Sequence, residues 1–293
     1  MSTTTFDDSP VLTAPAAKTR SRRPGVATVY RWELRKLRAL KRTYLGLGAA
    51  IIVPILFVIA VASRPGGPTD VPFGQYIHTT GLAIPLVLLL FGSAWMYPLI
   101  SALVAGDIFA SEDHNGTLKT ILTRSVDRGQ IFAGKALAAF SYAILAMVVS
   151  ATVATVAGCI VSGFNPLTTL SGDSVSPGRG LLLVAASTGI YLMPLLAITC
   201  IGLLLSVVTH NSAAAVVGTL MVSLLLQLVA ILPGLESLQP YLLSTQFDAW
   251  QGLLREPIDW APIVRAGWVS ALYAVPALMA AGIVFLRRDV AGG

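Results

Sequence analysis

Five long stretches of the chain are free of Asp, Glu, Lys and Arg: Thr43–Ser63, Val71–Gly106, Ala136–Gly172, Gly180–Leu235 and Ala266–Leu286. A helix crosses ~30 Å of hydrocarbon with roughly 20 apolar residues, so each stretch is long enough to span a bilayer. The fourth holds 56 residues and is punctuated by Thr209-His210-Asn211-Ser212, which predicts two spans joined by a tight turn. The pattern therefore predicts an all-α integral membrane protein with six transmembrane helices, at about 43–63, 81–105, 136–162, 181–208, 213–232 and 266–286. Pro85 and Pro98 within the second span predict kinks there.

The segments between the spans differ in character. Residues 1–25 are rich in Ser, Thr, Pro and Ala with a basic end from Lys18 to Arg23, a composition that buries nothing and predicts a disordered tail. In residues 26–42, Val26, Tyr30, Leu34 and Leu37 recur at helical spacing, continued by Tyr44, while Arg31, Arg35, Arg38 and Arg42 take other faces. That spacing predicts an amphipathic helix lying in the membrane interface with its apolar face down. Arg64-Pro65-Gly66-Gly67-Pro68 closes the first span. In the long segment 233–265, two groups are spaced for short helices: Leu235, Leu238, Tyr241, Leu242, and Phe247, Trp250, Leu253, Leu254. Trp250, Trp260 and Trp268 are expected at headgroup depth.

Composition agrees with a lipid-solvated chain: 55% of residues are hydrophobic and 12% are charged. The net charge of +6 is explained by its placement. Ten Lys and Arg precede the first span, four lie between 107 and 135, and two follow the last span. Only Arg64, Arg179, Arg255 and Arg265 fall in the alternate segments. Basic loops mark the cytoplasmic side, so both termini are expected there, facing anionic headgroups, and no nucleic-acid partner is implied. Cys159 and Cys200 fall inside predicted spans and read as packing residues. The span cores carry no acidic or basic residue, only neutral polar residues such as Ser101, Thr155 and Gln227, with His78 and His210 near span ends. Ion-coupled carriers place acidic or basic groups at membrane depth, which argues against a stand-alone carrier. The three His residues are too scattered for an active site.

The loop 107–135 carries the most signal. Asn115-Gly116 is a turn. Thr117 can cap a short helix containing Leu118, Ile121 and Leu122, and Asp127 with Gln130 forms a capping-box pattern for the next helix. A compact knob with an exposed apolar side results, suited to a cytosolic partner. Gly129-Gln-Ile-Phe-Ala-Gly134-Lys135 imitates the start of a phosphate-binding loop. However, Ala136 stands where Ser or Thr would hold magnesium, and no strand precedes it. Glu112, Asp113 and His114 are adjacent and are not spaced to converge on a metal.

At this loop the chain resembles the membrane (permease) subunits of type-2 ATP-binding-cassette (ABC) exporters. Glu112, Gly116-Thr117, Leu118, Val126, Arg128 and Gly134-Lys135 follow that family's order, although Ser125 stands where the family has Pro and Asp127 where it has Ser. Glu33 before the first span, the long segment before the last and the closing Arg-Arg-Asp also match. The resemblance implies a coupling helix over about Ile108–Arg124, with Glu112, Gly116, Thr117, Leu118, Ile121, Leu122 and Arg128 at the contact with an ATPase subunit. It implies that Glu112 pairs with a basic residue of that subunit. It also implies that the interfacial helix bearing Glu33, Arg35 and Arg38 rests against the same subunit. Two cytosolic ATPases, carrying the ATP and magnesium, and a second membrane subunit, identical or homologous, would complete a transporter in a bacterial plasma membrane. No cofactor or metal is expected on this chain. The expected cargo is amphipathic, such as a drug, an antibiotic or a lipid. The alternative is a stand-alone secondary carrier or channel.

Overall fold

The computed structural model describes residues 25–63, 66–67, 70–114 and 127–287. The expected tail up to residue 24, and Gly116, Thr117, Leu118, Ile121 and Leu122 of the expected coupling helix, lie outside the described residues. Nine α-helices are seen among the described residues: α1 Val26–Ala39, α2 Lys41–Ala62, α3 Ala83–Gly92, α4 Met96–Ala105, α5 Ala110–His114, α6 Arg128–Ser162, α7 Pro177–Thr209, α8 Ser212–Ile231 and α9 Trp260–Arg287. A two-residue hairpin, β1 Leu167–Thr168 with β2 Ser174–Val175, pairs antiparallel between α6 and α7. The architecture is an all-α bundle. Helices α2, α6, α7, α8 and α9 are each long and apolar enough to cross a membrane, and the α3–α4 pair supplies a sixth crossing if counted as one bent span.

The bend in that span is not where its prolines suggested. The two arms meet at 64°, and the break falls at Ser93-Ala94-Trp95. Pro85 and Pro98 each occupy the third position of an arm. A first-turn N–H has no intrahelical acceptor, so losing it costs nothing, and both prolines start helices instead of kinking one. A break at membrane depth exposes carbonyls that lipid cannot satisfy. Gln227 of α8 covers two of them: its Nε2 donates to Ser93 O at 2.7 Å and Ala94 O at 2.9 Å.

Packing explains which helices face lipid. Every residue of α3 from Ala83 to Leu89 is buried, so this arm is sheathed on all sides. Helix α7 is the most buried of the five long helices and packs on α4, α8 and α9. Asn211 caps α8 by accepting from Ala214 N at 3.1 Å, which ends the tight α7–α8 turn. At 1.5 Å per residue, α6 with its 35 residues is roughly 50 Å long, well beyond ~30 Å of hydrocarbon. Helix α1 packs on its N-terminal half, from Gly134 to Ser141.

Two expectations about amphipathic faces are corrected. The 26–42 helix divides at Leu40, which is extended (φ −92°, ψ 125°), and Lys41 and Arg42 belong to α2. The buried stripe of α1 is Val29, Glu33 and Leu37, turned onto α6; Val26, Tyr30 and Leu34 are only half-buried. Protein, not lipid, takes this face. Trp250 is fully buried, within the 3-10 segment Ser244–Leu254 and 6.1 Å from the Phe73 ring, so it is not a headgroup anchor. Trp260 and Trp268 remain exposed.

Candidate functional site

Charged side chains gather at the end of the bundle where α1 lies. The close packing begins with Gly134 on α6: a Cβ there would sit 2.7 Å from Val29 Cγ1, so only glycine lets α1 approach this near. The next residue, Lys135, is completely buried. Its Nζ lies 2.8 Å from Glu112 Oε1 on α5 and 3.2 Å from Glu33 Oε2 on α1. It also donates to Ile108 O at 3.0 Å and sits 5.6 Å from the centre of the Phe109 ring. Lys36, half-exposed on α1, reaches Glu33 Oε1 at 3.0 Å and Glu112 Oε1 at 2.6 Å. Two carboxylates and two ammonium groups, drawn from α1, α5 and α6, therefore form one neutral cluster.

An isolated buried charge is costly, and geometry alone decides whether a buried pair repays its desolvation. Here the Lys135 ammonium has three oxygen acceptors, matching its three donors. The electrostatics of Glu112 follow from its neighbours. Burial pushes its carboxyl up, but Lys135 and then Lys36 outweigh burial and hold it below the usual carboxylate range. Burial likewise pulls the Lys36 ammonium down, but Glu112 and Glu33 overcome this and leave it above its ordinary value.

A second network lies beside the first. Asp107, buried after α4, pairs with Arg42 of α2 and accepts from Ser212 Oγ at the start of α8, while Arg42 donates to Ser212 Oγ at 3.2 Å. Ser206 of α7 accepts from Phe109 N at 3.1 Å and Ala110 N at 3.0 Å, so a neighbouring helix satisfies amide donors at the start of α5. At its other end, Asp113 Oδ2 lies 2.6 Å from His210 Nδ1 in the α7–α8 turn. Polar contacts thereby fasten the short helix α5 to α1, α6, α7 and the α7–α8 turn, beside the buried Phe109 and Ala110. Between α1, α2 and α5 a cleft of about 390 Å³ opens, lined by Glu33, Lys36, Arg42, Asp107, Ser111 and Glu112 among others.

The residues read from sequence are thus divided. Glu33 and Glu112 meet, through Lys135 and Lys36, within the chain itself. Arg128 donates instead to Leu286 O at 3.3 Å, at the last turn of α9, where a cation meets the negative end of the helix dipole. Arg35 and Arg38 point away from the cluster and are exposed. Lys36, Lys135, Asp107, Arg42, Ser206 and Ser212 were not singled out from sequence as site residues. The available signal for Lys135 was a long cation directly after a glycine at a helix-packing position. The phosphate-loop lookalike 129–135 lies wholly inside α6, so its amides serve the helix. Among the described residues no cluster of His, Cys, Asp or Glu has metal-binding geometry. The arrangement is suited to transmitting displacement of α5 to its neighbours.

A family model described as "ABC-2 family transporter protein" matches residues 30–235, a range running from α1 through α8. No curated protein matches the chain.

Proposed function

Because the chain belongs to the ABC-2 transporter family and is an ABC-type transmembrane permease, we propose that it is the gate of an exporter worked by two separate cytosolic ATPase subunits. A second membrane subunit, identical or homologous, completes the passage. The basic end of the bundle lies in the cytosol of a bacterial cell, both termini with it, and the ATP and magnesium belong to the partners. The cargo is amphipathic, a drug, an antibiotic or a lipid, in keeping with span cores that carry no Asp, Glu, Lys or Arg.

The observation that carries this reading is the position of Glu112 between Lys135 and Lys36. The loop after α5, with Gly116, Thr117, Leu118, Ile121 and Leu122, is what the ATPase grips. Closure of the ATPases on nucleotide displaces α5, and Glu112 passes that displacement to α6 through Lys135 and to α1 through Lys36 and Glu33. Differential contacts in two nucleotide states then bias a two-state membrane element. The bent α3–α4 span is the natural element, since α4 leads directly into α5 while α3 is held on every side.

The test is Glu112→Lys, which places a third cation beside two. The variant is expected to insert and to co-purify with its ATPase partner, yet to lose ATP-driven release of cargo. Unchanged export by this variant would count against the role. Purification of the wild-type chain from its native membrane decides the alternative, because a stand-alone carrier or channel brings no ATPase subunit with it.

A further inference from the structure

Helix α1 has two charged faces, and only the inward one is used by the cluster. On the other side Arg31, Arg35 and Arg38 stand within roughly 60° of arc at 3.6 residues per turn, and all three are exposed. Among the described residues none of them, nor the exposed Lys41, pairs with an acidic group. The one acidic residue of α1, Glu33, is turned inward. Trp32 lies at the edge of this face, 44% exposed.

The surroundings fix the depth of the patch. Tyr44 Oη of α2 donates to Arg38 O at 2.7 Å, holding the end of α1 against the first turn of α2. Tyr44 and Leu45 are themselves exposed, and the same flank of α2 continues through Ile52, Ile55, Leu56 and Ile59, all exposed and apolar. A flank of this kind belongs against hydrocarbon. The arginines therefore stand where hydrocarbon gives way to headgroups, with an aromatic ring beside them as in interfacial belts.

We infer that the outward face of α1 is a docking surface for anionic phospholipid, with Arg31, Arg35 and Arg38 holding its phosphate. Charge complementarity selects the occupant: a patch of uncompensated cations beside a hydrocarbon-facing flank fits a phosphate bearing acyl chains. Guanidinium groups bind phosphate by paired donors. The inference rests on α1 lying at the membrane boundary, and it needs neither cargo nor ATPase.

The test uses the full chain in phosphatidylcholine nanodiscs, with increasing brominated phosphatidylglycerol as quencher. Subtracting the signal of Trp32→Phe isolates Trp32 emission. Quenching is expected at a far lower fraction of brominated phosphatidylglycerol than of brominated phosphatidylcholine. At about 1 kcal/mol per basic residue near a charged surface, Arg31→Gln/Arg35→Gln/Arg38→Gln should lose on the order of 100-fold of that preference. The matching Arg→Lys triple variant keeps the charge without the paired donors and should fall between the wild type and the Gln variant, and added salt should erode the preference. Equal quenching by the two lipids would overturn the inference. So would a Gln variant that keeps the preference, including one that instead loses a co-purifying cytosolic subunit, since the face would then belong to a protein partner. A chain that prefers phosphatidylglycerol yet recruits no ATPase would leave this inference standing and remove the proposed export function.

Discussion

Lys135→Met is the most informative single change, because it separates a buried charge network from a surface one. Lys135 is fully buried, and its ammonium group is shared by Glu112 Oε1, Glu33 Oε2 and Ile108 O. Methionine preserves most of the volume and removes the charge. Two carboxylates are then left facing each other, with only the half-exposed Lys36 between them. Removing one partner of a buried ion pair costs about 3–5 kcal/mol. At roughly 2 °C per kcal/mol for a chain of this size, Tm in detergent should fall by roughly 6–10 °C. Lys36→Met is the control. Its side chain is 46% exposed, and a pair this accessible contributes at most about 1 kcal/mol, hence roughly 2 °C. Adding Glu33→Gln and Glu112→Gln to Lys135→Met removes the stranded charges and should recover most of the loss. The reasoning is refuted if the two lysine variants melt alike, or if neutralising both carboxylates restores nothing.

Other consequences are measurable on the same purified chain. Gln227→Leu uncovers Ser93 O and Ala94 O at the bend, so Tm should fall by an amount equivalent to ~1–2 kcal/mol; an unchanged Tm would mean that the clamp contributes nothing. Gly134→Ala drives a methyl group into Val29 and should cost ~1–3 kcal/mol by overpacking. The cost should shrink when Val29→Ala is added, and additive effects in that double-mutant cycle would contradict the close approach. Because its neighbours hold the Glu112 carboxyl below the usual carboxylate range, its contribution is present above that range and lost as pH falls through its lowered value. The Tm gap between wild type and Glu112→Gln should therefore be widest near neutral pH and close in acid; a gap that widens in acid would reverse the sign of the argument.

The hydrophobic pattern reported the spans well because lipid imposes one rule on them all: satisfy the backbone internally and carry little charge. It was less informative where protein replaces lipid as the neighbour. Val26, Tyr30 and Leu34 were apolar enough to suggest a lipid-facing stripe. The buried stripe instead runs through Glu33, since Lys135 supplies what burial of a carboxylate requires. Trp250 was indistinguishable from Trp260 and Trp268 until Phe73 and the segment Ser244–Leu254 enclosed it. Pro85 and Pro98 correctly flagged an irregular span but misplaced the break, because a proline's effect depends on where its helix begins. Glu112 and Glu33 were legible only as residues that the family resemblance places at a partner contact. That they join through Lys135 was not, since 79 residues separate Glu33 from Glu112 and only packing at Gly134 unites them.

The central claim is that the loop after α5 faces the cytosol and is gripped there by an ATPase. A photo-cross-linking residue at position 117, activated in native membranes, tests it most directly. The account predicts a cross-link to a nucleotide-binding cytosolic subunit whose yield changes when ATP is added. Labelling of position 117 by a membrane-impermeant reagent on intact cells, or a cross-link yield indifferent to nucleotide, would contradict it.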